Sequence, residues 1–137
     1  MKKIINLFAI VTLLSACNNN RGNGGSDTYQ EKVQSVEEIE HSQPTNFLNA
    51  SGTYNETLFG NSIKVHGVIK NNATVANFKD VVVKVTYYSK TQTVIGSNNY
   101  IIYDFFPPHS EKAFELKIDK YDGTNTIGWD VVKATPN

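Results

Sequence analysis

The middle of the chain, residues 78–89, reads Phe78-Lys79-Asp80-Val81-Val82-Val83-Lys84-Val85-Thr86-Tyr87-Tyr88-Ser89. Every second residue from Val81 to Tyr87 is apolar, so an extended backbone points these side chains to one face. Residues 62–71 and 113–118 show the same alternation, with polar residues between the apolar ones. One apolar and one polar face is typical of strands in antiparallel sheets. The stretch therefore predicts a strand with one buried face.

Six runs of this kind follow Phe47, separated by turns rich in Gly, Asn, Pro and Ser. They cover residues 48–59, 62–71, 78–89, 94–102, 113–118 and 126–134. No part of this half of the chain has a sustained helical period. We therefore predict one all-β domain over residues 47–137, an Ig-like antiparallel β-sandwich of about seven strands.

The N-terminus has the layout of a secretory signal. Lys2 and Lys3 precede an apolar run, which ends in small residues directly before Cys17, the only cysteine of the chain. The run is too short to span a bilayer. Leu14-Ser15-Ala16-Cys17 resembles the lipobox of bacterial lipoproteins, which implies that residues 1–16 are a signal peptide and that Cys17 is lipidated after cleavage. The membrane would then be a partner through this lipid anchor.

Residues 17–46 are polar, and we expect them to form a flexible tether. Within them, Val33, Val36 and Ile39 recur every three residues and allow a short amphipathic helix. Residues 18–25 lack the acidic cluster that resembles a surface-export tag in some lipoproteins. We therefore expect a lipid-anchored protein of the bacterial outer membrane that faces the periplasm, while the inner membrane stays open as an alternative.

Three stretches of the second half resemble a small Ig-like family called FxLYD, which is common in secreted and lipid-anchored bacterial proteins. They are Gly67 to Asn72, Val81 to Tyr88 and Phe106 to Phe114. The name-giving segment is only partly kept, as Val85-Thr86-Tyr87-Tyr88-Ser89, and a related sandwich family similar to late-embryogenesis-type domains fits almost as well. Both resemblances imply the same fold class, and neither carries an established catalytic site.

Composition and motifs argue against nucleic-acid binding, metal binding and catalysis. The chain has 13 Lys and Arg and 13 Asp and Glu, for a formal net charge of zero. His41, His66 and His109 lack the spacing of metal ligands, and the expected place of His66 is a solvent-facing one. Residues 119–123 resemble part of a calcium loop but lack its spacing and terminal Glu. Serines are frequent, yet none lies in a nucleophile elbow. We therefore expect no cofactor, no catalytic residue and no metal site.

Aromatic residues are the remaining candidates for a binding site. Tyr88, Tyr100 and Tyr103 could form an outward strip that docks a partner, such as an envelope protein. The alternative is that phenylalanines and Trp129 fill the core, while the outward tyrosines stabilise cross-strand pairs. We therefore expect a membrane-anchored lipoprotein with a non-catalytic Ig-like domain and a binding or structural role at the envelope. A small envelope enzyme, or a substrate- or carbohydrate-binding protein, is the rival hypothesis. The sequence does not determine the oligomeric state of the protein.

Overall fold

The structure, a computed structural model, describes residues 33–58 and 61–137. Its elements are helix α1 (Val36–Ser42), a 3₁₀ turn (Pro44–Asn46), β1 (Leu48–Glu56), β2 (Ser62–Asn71), β3 (Phe78–Tyr88), β4 (Val94–Phe106), β5 (Glu111–Asp119) and β6 (Thr126–Pro136). The predicted signal peptide, Cys17 and the first part of the predicted tether lie outside the described residues. Phe59, where the sequence predicts the end of the first strand, also lies outside them.

The six strands form two antiparallel sheets of three strands each. Sheet I has the order β1-β2-β5, and sheet II has the order β4-β3-β6. This order corresponds to strands A, B, E and C′, C, F of an immunoglobulin-type sandwich. The predicted all-β sandwich is confirmed, with one strand for each alternating run of the sequence. About seven strands were expected, but within the described residues no strand takes the place of strand G.

The core lies between the two sheets and is built by the alternating residues of each strand. Val81, Val83, Val85 and Tyr87 of β3 are fully buried, as the period of two predicts. Sheet I contributes inward residues of β2 and β5, and sheet II adds residues of β4 and β6. These are Ile63, Val65, Ile69, Phe114, Ile118, Phe106, Ile127 and Val131. The sandwich therefore rests on apolar packing between two faces of known register.

Two glycines lie opposite each other at the centre of sheet I, so neither β1 nor β2 has a side chain at this point. Gly52 of β1 pairs with Gly67 of β2, and the ring of Phe114 lies directly over the Gly67 backbone. A Cβ atom at Gly67 would overlap that ring, so only glycine leaves room for it. The Phe114 ring covers the Gly67 backbone, which has no side chain of its own to shield it. Such aromatic cover is a known way to stabilise glycine in a sheet.

Helix α1 begins with a complete capping box. Ser35 accepts a hydrogen bond from the Glu38 backbone N–H at 3.1 Å, and the Glu38 carboxylate accepts one from the Ser35 N–H at 3.0 Å. The expected apolar stripe does not face the sandwich, because Val36 and Ile39 are exposed while Glu40 is buried. Within the segment predicted as a tether, residues 36–42 therefore form the short helix that the sequence allows, and residues 44–46 form the 3₁₀ turn.

Candidate functional site

Tyr100 lies on the inner face of sheet II. It pairs with the fully buried Val83, and directly opposite residues of an antiparallel pair point to the same face. Its hydroxyl is 3.5 Å from the Tyr87 hydroxyl. Tyr100 and Tyr103 are an odd number of positions apart in one strand, so they face opposite sides. The structure therefore corrects the predicted strip: Tyr100 packs against the core.

Tyr88 and Tyr103 both lie on the outer face of sheet II, but at its opposite ends. Tyr88 pairs with Val94, the first residue of β4, and its ring lies over Gly128. Tyr103 lies nine positions further along β4, a distance of about 30 Å at the usual rise per residue. The structure does not bring the two rings together, and a shared binding role for them has no geometric support.

A different set of side chains surrounds Tyr103 on the outer face. Ile101, Tyr103 and Phe105 alternate along β4 and are 46%, 79% and 41% exposed. Ile101 pairs with Val82 of β3, and Phe105 pairs with Lys79. We call Ile101, Tyr103 and Phe105 the β4 strip. Sequence analysis named only Tyr103 of this set, although Asp104 is the only residue from Tyr100 to Phe106 that is neither aliphatic nor aromatic.

The β4 strip belongs to an edge strand, because sheet II has the order β4-β3-β6. Asp104 is the only charged residue among the 13 residues of β4. Lys112 Nζ donates a hydrogen bond to Asp104 Oδ1 at 2.5 Å, and the Phe105 N–H donates another at 2.7 Å. The Lys112 hydrogen bond, with that of Phe105, lowers the pKa of Asp104. The edge strand therefore carries a single charge, which already has a cation beside it.

The polar groups on the outer face of sheet I do not form a comparable site. His66 Nδ1 is 2.9 Å from Glu115 Oε1, and both side chains are exposed. Lys64 and Lys117 flank them around a shallow depression of about 270 Å³. The prediction that His66 faces solvent is confirmed.

The three histidines lie in different elements: His41 is in α1, His66 is in β2, and His109 is in the turn after β4. Among residues 33–58 and 61–137, no three His, Cys, Asp or Glu side chains form a group that could hold a metal ion.

Glu40 is the most constrained carboxylate of the described chain. It is 2% exposed and accepts hydrogen bonds from the Thr74 N–H (2.7 Å), the Thr74 hydroxyl (2.7 Å), the Val75 N–H (3.0 Å) and the Ala76 N–H (2.8 Å). Burial by itself would raise the pKa of Glu40, but these hydrogen bonds outweigh it and lower the pKa to about 2. The carboxylate thus fastens α1 to the loop between β2 and β3.

Asn71 holds the same loop from the other side. Its amide nitrogen lies 3.0 Å from each of three carbonyl oxygens, those of Ala76, Phe106 and Pro107, and its oxygen accepts a hydrogen bond from the Ala73 N–H at 2.9 Å. Asn71 is fully buried. It therefore ties the β2–β3 loop to the end of β4, where the β4 strip lies. Glu40 and Asn71 have a structural role, because the polar atoms of both side chains are already engaged in hydrogen bonds within the fold.

Comparison of the chain with family models, curated proteins and solved structures finds no match. The resemblances to the lipobox and to FxLYD domains therefore stay predictions. Within the part of the chain that the structure describes, no helix is long and apolar enough to cross a membrane.

Proposed function

We propose that this protein is a membrane-anchored bacterial lipoprotein whose Ig-like sandwich binds a protein partner at the cell envelope and does not catalyse a reaction. The observation that carries the binding role is the β4 strip, an exposed apolar row on a sheet edge with a single charge. Unpaired backbone groups on such an edge, with apolar side chains beside them, are what β-strand addition by a partner requires.

The anchor rests on the sequence Leu14-Ser15-Ala16-Cys17 and on the positive and apolar segments before it. Acyl chains each contribute about 0.8 kcal/mol per buried methylene, and more than one chain gives stable attachment. We assign the protein to the periplasmic side of the outer membrane. Fractionation of cells that express the full chain tests the lipid anchor, because Cys17→Ala should move the protein from the membrane to the soluble fraction. Retention of the Cys17→Ala variant in the membrane would contradict the anchor.

The binding role can be tested with a photoreactive phenylalanine analogue placed at Tyr103. Thr53 is the control position, because it is exposed and lies on β1 of the other sheet, away from the β4 edge. We expect a discrete protein adduct from Tyr103 on illumination of whole cells and none from Thr53. Equal labelling from both positions would argue against a docking surface.

The rival hypothesis, a small envelope enzyme or a carbohydrate-binding protein, makes a different prediction. The outer face of sheet II also has a shallow depression of about 460 Å³, lined by Lys84, Thr86, Tyr88 and Asp130 among others. A sugar bound there would cover Tyr88 and would not contact the β4 strip. Turnover of any envelope substrate by the purified protein, lost in an Asp130→Asn variant, would replace our proposal with the enzyme hypothesis.

A further inference from the structure

The loop between β2 and β3, residues 72–77, directs several hydrogen-bond donors at one carboxylate. Glu40 Oε1 accepts hydrogen bonds from the Thr74 N–H and the Thr74 hydroxyl, both at 2.7 Å. Glu40 Oε2 accepts them from the Val75 N–H at 3.0 Å and the Ala76 N–H at 2.8 Å. Successive backbone N–H groups that point to one spot form a concave anion-binding site. The loop therefore offers two donors to each oxygen of a carboxylate.

The sandwich itself holds this loop in shape. The Asn71 side chain accepts a hydrogen bond from the Ala73 N–H at 2.9 Å and donates one to the Ala76 carbonyl oxygen at 3.0 Å. The Asn72 N–H donates to the Phe47 carbonyl oxygen at 2.8 Å. Asn71, Ala73 and Ala76 are fully buried. Because none of these contacts involves α1, the donors are arranged for a carboxylate independently of α1, and such preorganisation lowers the free-energy cost of binding.

Helix α1 is attached to the sandwich as a ligand would be. Glu40 is the only buried residue among the seven of α1, while Val36 and Ile39 are 58% and 40% exposed. A helix of this length is not stable by itself in water. The attachment of α1 therefore depends on one carboxylate in the loop and not on apolar packing.

We propose that the β2–β3 loop is a carboxylate-binding site, which α1 occupies as an intramolecular ligand and thereby closes to carboxylates of other molecules. When α1 leaves the loop, the site is free for an acidic group of another molecule, so α1 is an autoinhibitory element. This inference goes beyond the proposed function, because it requires neither the lipid anchor nor the β4 strip. Failure of either proposal leaves the other unaffected.

The site should distinguish a carboxylate from a neutral group of the same shape. Burial by itself would raise the pKa of Glu40, but the four hydrogen bonds lower it to about 2, so the loop prefers the ionised form. A primary amide has one oxygen in place of two, and its NH₂ group would face the donors without accepting from them. Acetate and acetamide are therefore matched probes, because acetate corresponds to the part of the glutamate side chain that Glu40→Ala removes.

Thermal unfolding of the full chain with Glu40→Ala, followed by Trp129 fluorescence, tests the site. Acetate should raise the Tm of this variant by about 4–8 °C at a concentration about five times its dissociation constant. Acetamide, and chloride at the same ionic strength, should not. The wild type and the control Glu37→Ala should show no acetate-specific shift, because Glu40 fills the site in both and Glu37 is exposed. If Glu40→Ala is unfolded in chloride, acetate should restore the folded Trp129 signal.

The Thr74 hydroxyl provides a second test, which locates the bound acetate. Adding Thr74→Val to Glu40→Ala removes one of the four donors and keeps the size of the side chain, so acetate should bind about tenfold more weakly. The proposal is overturned if acetate has no effect on Glu40→Ala, if acetamide is as effective, if the wild type shifts equally, or if Thr74→Val leaves the acetate affinity unchanged.

Discussion

Replacing Asn71 with alanine should lower the free energy of unfolding of the sandwich more than replacing any exposed asparagine with alanine. The Asn71 amide nitrogen contacts the carbonyl oxygens of Ala76, Phe106 and Pro107, and its oxygen receives the Ala73 N–H. Alanine leaves these groups in place and removes their partner. The loop between β2 and β3 then loses its connection to the end of β4.

The expected loss of unfolding free energy is about 3 kcal/mol. A buried polar group left without a partner costs about 1–3 kcal/mol. Three of the four hydrogen bonds of Asn71 involve buried partner groups, while the Pro107 carbonyl is only partly buried and can turn to water. We take the lower limit for each of the three, because a loop can admit water where a strand cannot. For a domain of this size, 3 kcal/mol lowers Tm by roughly 12–24 °C.

Urea unfolding followed by the fluorescence of Trp129 measures this loss. Trp129 is the only tryptophan, is half-buried and lies 6.2 Å from the Tyr54 ring, so unfolding changes its surroundings. Asn49→Ala is the control, because Asn49 is exposed on β1, and its effect should stay within about 0.5 kcal/mol. Asn71→Asp should cost more than Asn71→Ala, because it keeps the shape but turns an acceptor towards three carbonyl oxygens. The reasoning is refuted if Asn71→Ala matches the control, or if Asn71→Asp is the milder change.

Three further outcomes follow from the same contacts. The pKa of Glu40 is lowered from 4.5 to about 2 on folding, so the contribution of this carboxylate to stability is complete above about pH 5 and is lost as pH falls towards 2. Hydrogen-exchange protection of the residue 74–76 amides should show the same pH dependence in the wild type and should be weak at every pH in Glu40→Gln. Gly67→Ala should cost about 1–3 kcal/mol because its methyl group overlaps the Phe114 ring, and Phe114→Leu should cost less in that background than in the wild type, as a double-mutant cycle in urea would show. Burial, together with the neighbouring hydroxyl of Tyr100, raises the pKa of Tyr87, so ultraviolet titration should find one tyrosine that ionises only when the fold is lost at high pH; Tyr87→Phe should remove that late step.

The strands could be predicted from the sequence because their signal is local. Val81, Val83, Val85 and Tyr87 alternate within seven residues, and a period of two needs no knowledge of the partner strand. The predicted end of the fourth strand at Ile102 is four residues short. The β4 register shifts at Tyr103 and Asp104, and a polar residue inside an apolar run hides the continuation of the strand.

The fastening of α1 could not be predicted, because its signal is neither apolar nor local. Glu40 is 34 residues from Thr74, and an acidic residue in a polar segment has the composition of a solvated tether. The recurrence of Val33, Val36 and Ile39 allows a short amphipathic helix but gives no sign that Glu40 is buried. The structure shows instead that the carboxylate docks, since three backbone N–H groups of the loop need an acceptor.

The faces of the tyrosines show a third limit. Tyr88 and Tyr100 belong to different strands, and whether their rings share a face depends on the register between β3 and β4. The pairing of Val83 with Tyr100 places Tyr100 inside, and the same parity exposes Ile101 and Tyr103. An apolar outer face on an edge strand has meaning only once the strand order is known, so the β4 strip could not be derived from composition.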